Sequence, residues 1–285
     1  MALKLVIGNK NYSSWSMRPW LALRANNIPF DEVFIPLYTG EADKKRILSF
    51  TDSGKVPALI DGDVTVWDSL AIIEYVAERF PQTRLWPEDP ARRAHARSIS
   101  AEMHSGFGAL RNECGMNLHR PVRAIALSAE ARADIARIQQ IWTECRERYG
   151  KMGPFLFGDF CGADAMFAPV VHRFRIYAIA VAPEVQAYMD TMMSLPAFQE
   201  WTRAGLAETL VIEKFETVGP NCPGFGATTP HRRRIGRSWP QAGAYRLGLG
   251  KNEFRQRLGD SSRTGKVTFI ALKNLQNPRI CHVPM

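Results

Sequence analysis

The chain has 285 residues, 46% of them hydrophobic and 23% charged, with a formal net charge of +9. This is enough for one large or two ordinary domains. No apolar run approaches the roughly 18 residues of a membrane-spanning helix, which excludes a helical membrane protein. The five cysteines (Cys114, Cys145, Cys161, Cys222, Cys281) form no CxxC pair and the histidines show no HxxxH spacing. That argues against a disulfide scaffold or a bound metal and for a reducing, cytoplasmic setting.

The charge is unevenly placed. Thr217–Met285 holds 12 Lys and Arg against 2 Asp and Glu, and the first 216 residues hold 25 against 26. The basicity is therefore a property of the tail and says nothing about the folded body.

Leu3–Ile7 reads as a buried first strand, since the N-terminus lacks the ordered basic, apolar and cleavage regions of a signal peptide. After a polar loop, Ser13 and Ser14 precede a helix. Pro19 belongs in a first turn, so that helix is expected to begin near Trp15–Met17 and to end at Asn26–Asn27. Glu32–Leu37 is a second strand and Ala42–Phe50 a helical segment. Val56–Ile60 and Val64–Trp67 read as strands joined by an Asp61–Gly62–Asp63 hairpin turn. Asp68–Ser69 then opens a helix with Leu70, Ile73, Val76, Ala77 and Phe80 at helical spacing. The order β-α-β-α-β-β-α is thioredoxin-like.

Pro81–Pro90, with three prolines in ten residues, reads as a linker. Helices are expected over Ala91–Cys114, Ser128–Tyr149, Ala163–Ala182, Pro183–Ser194 and Pro196–Phe215, with the third as the buried centre. The chain is thus read as α+β: a thioredoxin-like domain over 1–80, a linker over 81–90, an all-α domain over 91–216 and a tail over 217–285. The tail is rich in Gly, Pro and Arg, with one strand candidate at Lys266–Leu272. It is expected to be a disordered extension, although His231–Arg234 would suit an acidic surface or nucleic acid.

Two features of Ser53–Phe80 look chemical. Pro57 stands at a strand start, where its missing N–H costs a ladder bond. A cis Val56–Pro57 bond would leave the Val56 N–H and C=O free to pair with a peptide-like ligand. Asp68 and Ser69 lie at a helix start, where exposed N–H groups and a hydroxyl suit a carboxylate. Each feature alone also fits an ordinary turn or N-cap.

Together, in this order and spacing, they resemble the glutathione-binding half of the cytosolic glutathione transferase family. The run SLAIIEY and the stretch SSWSMRPWLAL are similar to its zeta class, whose pattern is SSCxWRVRxAL. The resemblance implies glutathione as co-substrate, bound by Lys55, Val56 and Pro57 along its backbone and by Asp68 and Ser69 at its γ-glutamyl end. It places Ser13 at the catalytic serine, Ser14 beside it and Arg18 at the first arginine. Trp15 stands where zeta proteins have a cysteine and Trp20 where they have a second arginine, which weighs against cis–trans isomerase activity. The resemblance covers about three quarters of the chain and implies a homodimer.

A free thiol with a pKa near 8.5 is only a few per cent thiolate at neutral pH. Lowering that pKa by about two units requires about 2.7 kcal/mol. A hydroxyl hydrogen bond to charged sulfur supplies about 1.5–3 kcal/mol and a helix N-terminus about 0.3–1 kcal/mol, so no general base is demanded. Ser13 and Ser14 are accordingly the candidate catalytic residues. His104, Phe107 and Arg111, at i, i+3 and i+7 of one expected helix, together with Trp15 form the candidate acceptor pocket. In the all-α part, Cys161–Gly162–Ala163–Asp164 stands where the family has a capping box, with Cys161 in the hydroxyl position. A lost cap and, less favoured, a nucleophilic Cys161 are the two expectations there. The function implied is transfer of the glutathione thiolate to a small, largely apolar electrophile. The alternatives are a non-catalytic binding module and a zeta-like isomerase.

Overall fold

The computed structural model describes residues 2–216. The tail, with His231–Arg234 and Lys266–Leu272, lies outside the described residues. Four strands, β1 (Leu3–Ile7), β2 (Phe30–Phe34), β3 (Ala58–Asp61) and β4 (Val64–Trp67), form one sheet in the order β2-β1-β3-β4. β1 and β2 are parallel, and β3 runs antiparallel to both β1 and β4. The α1 helix (Ser14–Ala25) connects β1 to β2, α2 (Glu41–Leu48) leads toward β3, and α3 (Ser69–Arg79) follows β4. This is the expected thioredoxin-like order. Gly62, at φ 60°, makes the β3–β4 turn tight.

Side chains alternate across the sheet as the two-residue period of a strand requires. Leu3, Leu5, Ile7 and Leu59 join the main core with α1, α3 and the helical half. Val6 and Ala58 face the other way, against Ile35 and Ile47. Within the helical half, α4 (Pro90–Ser105), α5 (Gly108–Glu113), α6 (Ala129–Tyr149), α7 (Gly162–Ile176), α8 (Pro183–Ser194) and α9 (Pro196–Ala207) surround α7, which is buried along almost its whole length. The segment between the halves is packed down, with Leu85 and Trp86 buried. Its Leu85 carbonyl accepts from Gly162 N–H at 2.7 Å. A Cβ on Gly162 would come within 2.8 Å of Trp86 and 3.0 Å of Ile73, so glycine permits this close approach.

β2 spans Phe30–Phe34 rather than Glu32–Leu37 and α9 ends at Ala207 rather than Phe215; three further sequence expectations need correction. The first helix begins at Ser14, and Pro19 lies inside it rather than in its first turn. The amide that Pro19 lacks would have bonded the Trp15 carbonyl, one turn back. The single helix expected over Ala91–Cys114 is two: α4 ends at Ser105, and Phe107, at φ 57°, starts α5. The left-handed turn there breaks the run, so His104, Phe107 and Arg111 do not share one helix face. Third, α7 ends at Ile176, six residues before the expected end, with Ala178 at φ 47°.

The start of α7 keeps its capping box with sulfur in place of oxygen. The Cys161 thiol faces the N3 amide, and Asp164 Oδ2 accepts from Cys161 N–H at 2.9 Å. Asp164 Oδ1 accepts from Leu156 N–H and Tyr188 O–H, both at 3.1 Å. Cys161 is buried, which pushes its thiol up and takes it out of the nucleophilic range.

Asp164→Ala should destabilise the protein by about 3 kcal/mol in urea unfolding, because three buried donors lose their acceptor. Burial raises the Asp164 carboxyl to about 6 from its ordinary 3.8, despite the hydrogen bonds that favour its charge. Between those values the native state binds a proton that the unfolded chain has released. Wild-type stability from this group therefore falls as pH rises through that window, by about 3 kcal/mol, and the alanine variant should lack that slope.

Candidate functional site

The candidate residues gather where the N-terminus of α1, the start of α3 and the helical half meet. Asn9, Asn11 and Glu208 shape the loop that delivers the serines. Glu208 accepts from Lys10 N–H at 2.6 Å and Asn11 N–H at 3.2 Å, and Asn11 Oδ1 accepts from Leu118 N–H at 2.6 Å. The loop is thereby fastened to the helical half on both sides.

Ser13 and Ser14 are both nearly buried but differently engaged. Ser13 is the N-cap of α1: its Oγ accepts from Ser16 N–H at 3.3 Å and donates to Ser16 Oγ at 2.8 Å. Ser16 Oγ also accepts from Gly8 N–H at 3.1 Å. Ser14 is the first helical residue, and its Oγ accepts from Arg173 Nη2 of α7 at 3.2 Å.

At the start of α3, Asp68 has φ 76° and caps the helix, Oδ1 accepting from Leu70 N–H at 2.9 Å and Ala71 N–H at 3.3 Å. Its Oδ2 meets His104 Nε2 at 2.6 Å, which ties α3 to the end of α4. Ser69 is buried, and its Oγ has no hydrogen-bond partner among the described residues. Its N–H stands at the first helical position, where no acceptor exists within the helix. The Val56–Pro57 bond is cis, and Val56 stands ahead of Ala58, the first paired residue of β3. Pro57 is buried, Val56 half-buried and Lys55 exposed.

Trp15 is the hub of the expected acceptor pocket. Arg18 stacks on it at 4.2 Å and Arg111 at 5.5 Å, and the His104 ring meets it edge-on at 5.3 Å. Arg111 reaches there by folding back from α5 to the Met103 and His104 carbonyls, at 3.4 and 3.2 Å. Tertiary packing thus restores a neighbourhood that the broken helix would have dispersed. Phe107 does not join it in this way; it is buried in the main core.

Two arginines give the site its electrostatics. Arg18, 1% exposed, donates from Nε to the Met166 carbonyl at 3.1 Å, and its Nη1 has no hydrogen-bond partner among the described residues. Burial, with Arg173 and Arg111 nearby, lowers its pKa to about 9. Arg173 donates from Nη1 to the Cys114 carbonyl and from Nη2 to Ser14, and burial lowers its pKa to about 10. Both remain cations at neutral pH. Sequence reasoning missed Arg173; the available signal was a pair of guanidiniums, Arg173 and Arg175, in an otherwise apolar helix.

The profile of the family described as "Glutathione S-transferase, N-terminal domain" matches residues 12–79. A probable maleylacetoacetate isomerase of Caenorhabditis elegans is 30% identical over 190 residues, which cover 65% of this chain and 87% of that protein. A maleylacetoacetate isomerase of Pseudomonas aeruginosa is 29% identical over 212 residues, 73% of this chain and 99% of that protein. Among solved structures, a glutathione transferase homolog from Burkholderia with bound glutathione superposes at TM-score 0.56 and 23% identity, over 73% of this chain and 100% of that one. Sheet order and relatives that align over almost their whole length agree: the chain belongs to the glutathione transferase family, of the cytosolic type, with zeta-class proteins among its relatives.

Proposed function

We propose that this protein binds glutathione and transfers its thiolate to a small electrophile. The observation that carries the reading is Ser69: a buried hydroxyl without a partner at a helix start, beside a capping aspartate held at positive φ. A buried unsatisfied polar group costs roughly 1–3 kcal/mol, and a ligand carboxylate accepting from the Ser69 O–H and N–H would remove that cost. Asp68, with lone pairs still open, suits the ammonium of the same γ-glutamyl group. Val56, next to Pro57 and outside the ladder, suits the cysteinyl backbone, with Lys55 at the rim. One of the two serines holds the sulfur. In the reaction the thiol proton leaves to solvent. The sulfur electron pair then forms the C–S bond as the electrophile's leaving group departs with its own pair.

The acceptor stands against Trp15, His104 and Arg111. Trp15 covers Arg18, which leaves an aromatic face in place of a bare guanidinium and favours an acceptor with substantial apolar surface. The second reading is glutathione-dependent cis–trans isomerisation, favoured by the names of two relatives, maleylacetoacetate isomerases. Trp15 in the cysteine position weighs against it. The protein is read as a cytoplasmic homodimer; Val64 and Trp67, 46% and 52% exposed on the outer strand β4, offer apolar surface for a partner copy.

Glutathione-affinity capture tests the binding: retention and elution by free glutathione are expected, and passage through the column at millimolar competitor-free conditions would return the chain to a non-catalytic module. Ser69→Ala should weaken glutathione binding roughly tenfold, about 1.4 kcal/mol. Its urea midpoint should hold or rise, because the lost hydroxyl had no partner in the free protein. Sedimentation velocity at micromolar concentration should give a dimer; monomer alone would remove the assembly reading. Turnover of an aryl halide without isomerisation of maleylacetoacetate would separate the two reactions.

A further inference from the structure

The two neighbouring serines are not equivalent. The single Ser13 proton is spent within the chain Gly8 N–H, Ser16 Oγ, Ser13 Oγ, and the Ser13 oxygen also caps α1. Ser14 is used only as an acceptor: Arg173 donates to its oxygen, and its own proton has no acceptor among the described residues. The oxygen that receives a charged donor is the better donor itself, because each hydrogen bond in such a chain polarises the next.

Arg173 has further reason to face an anion. Neither it nor Arg18 forms an ion pair with a carboxylate among the described residues. Arg173, Arg111 and the Asp68 carboxylate, itself shared between the α3 cap and His104, bear on Arg18, whereas Tyr177, Cys114 and Arg111 bear on Arg173. Ser14 is also the first residue of α1, where the helix macrodipole favours negative charge. Buried cations without a counterion are costly, and a thiolate at Ser14 supplies the missing charge.

We propose that Ser14, and not Ser13, donates to the glutathione thiolate, and that Arg173 is a positioning residue that reaches from α7 to direct the Ser14 proton toward the sulfur. The inference rests on the glutathione reading above and departs from the alignment, which sets Ser13 at the catalytic position. In the step concerned the glutathione S–H bond breaks, its proton passes to solvent, and the electron pair stays on sulfur, accepting from Ser14 O–H. Ser13 keeps the loop and the helix start in place.

Calorimetry with glutathione establishes the complex, and ultraviolet absorbance of the thiolate then titrates the bound thiol. Ser14→Ala should raise the thiol pKa by about one unit, with kcat/KM falling about tenfold at neutral pH and recovering as pH rises above the new pKa. Arg173→Gln should act in the same direction, and Arg173→Lys, which keeps the charge, should restore part of the shift. Ser13→Ala should lower the melting temperature and leave the bound thiol pKa in place. A thiol pKa that moves with Ser13→Ala and not with Ser14→Ala overturns the assignment, as does a folded Arg173→Gln with a wild-type thiol pKa. Should Arg173→Gln fail to fold, Ser14→Ala and Arg173→Lys decide. Wild-type protein that binds no glutathione overturns the functional reading as well, whereas binding with the serines reversed overturns only this one.

Discussion

Two buried guanidiniums without a carboxylate partner among the described residues, Arg18 and Arg173, are the constraint around which the candidate site is built. Arginine keeps its proton there, because its pKa starts so high that lowering to about 9 or 10 leaves the charge intact. What the cations receive from the protein is carbonyl oxygen: Met166 for Arg18 and Cys114, at the end of α5, for Arg173. A helix C-terminus carries partial negative charge, which makes the Cys114 carbonyl a favourable partner. The net result is a positive floor beneath the N-terminus of α1. Relative to solvent such a floor favours an anion over a neutral thiol, and that difference is the chemistry a transferase of this type requires.

The floor is assembled from both halves of the fold, so its geometry depends on how firmly they are joined. Trp20 of α1 meets Trp201 of α9 edge-on at 5.2 Å and donates from Nε1 to Glu32 at 2.7 Å. The residue that stands where zeta proteins have an arginine is therefore a packing anchor here. Gly162 lets α7 press against Trp86 and Ile73, and the Glu208 and Asn11 side chains bind the serine loop to the helical half. A further strap closes near the same loop: Tyr12 O–H donates to Glu216, and its ring lies 5.7 Å from Phe215, which in turn meets Tyr38 at 5.6 Å. The described chain thus ends against the loop that carries the catalytic candidates, although 204 residues separate Tyr12 from Glu216 in sequence.

Asp68 and His104 connect the start of α3 to Trp15. The carboxylate that caps α3 also meets His104, whose ring meets Trp15. A group that draws on Asp68 competes with His104 for the same carboxylate, and through His104 it bears on Trp15. Two hollows in the helical half, of about 390 and 330 Å³, include none of these residues. The junction is identified by its unpaired polar groups, not by its volume.

Local chemistry in the sequence determined much of this protein. The apolar run in LKLVI marked β1, Asp61–Gly62 marked the hairpin, the proline ahead of β3 marked the entry to that strand, and Asp68–Ser69 marked a helix start. These are short-range statements, each decided by backbone sterics or by hydrogen bonding within a few residues. What the sequence could not decide were matters in which distant segments compete for the same atom. Gly106 and Phe107 break a helix whose apolar spacing looked continuous, because the chain there turns to let Arg111 fold back beside Trp15. Pro19 is tolerated inside α1, past the first turn to which local rules assign it. Above all, the two serines are chemically alike in sequence and differ only in partners: Ser16, three residues away, engages one, and Arg173, 159 residues away, engages the other. Local pattern therefore set the fold and the parts of the site, and long-range packing assigned each part its proton.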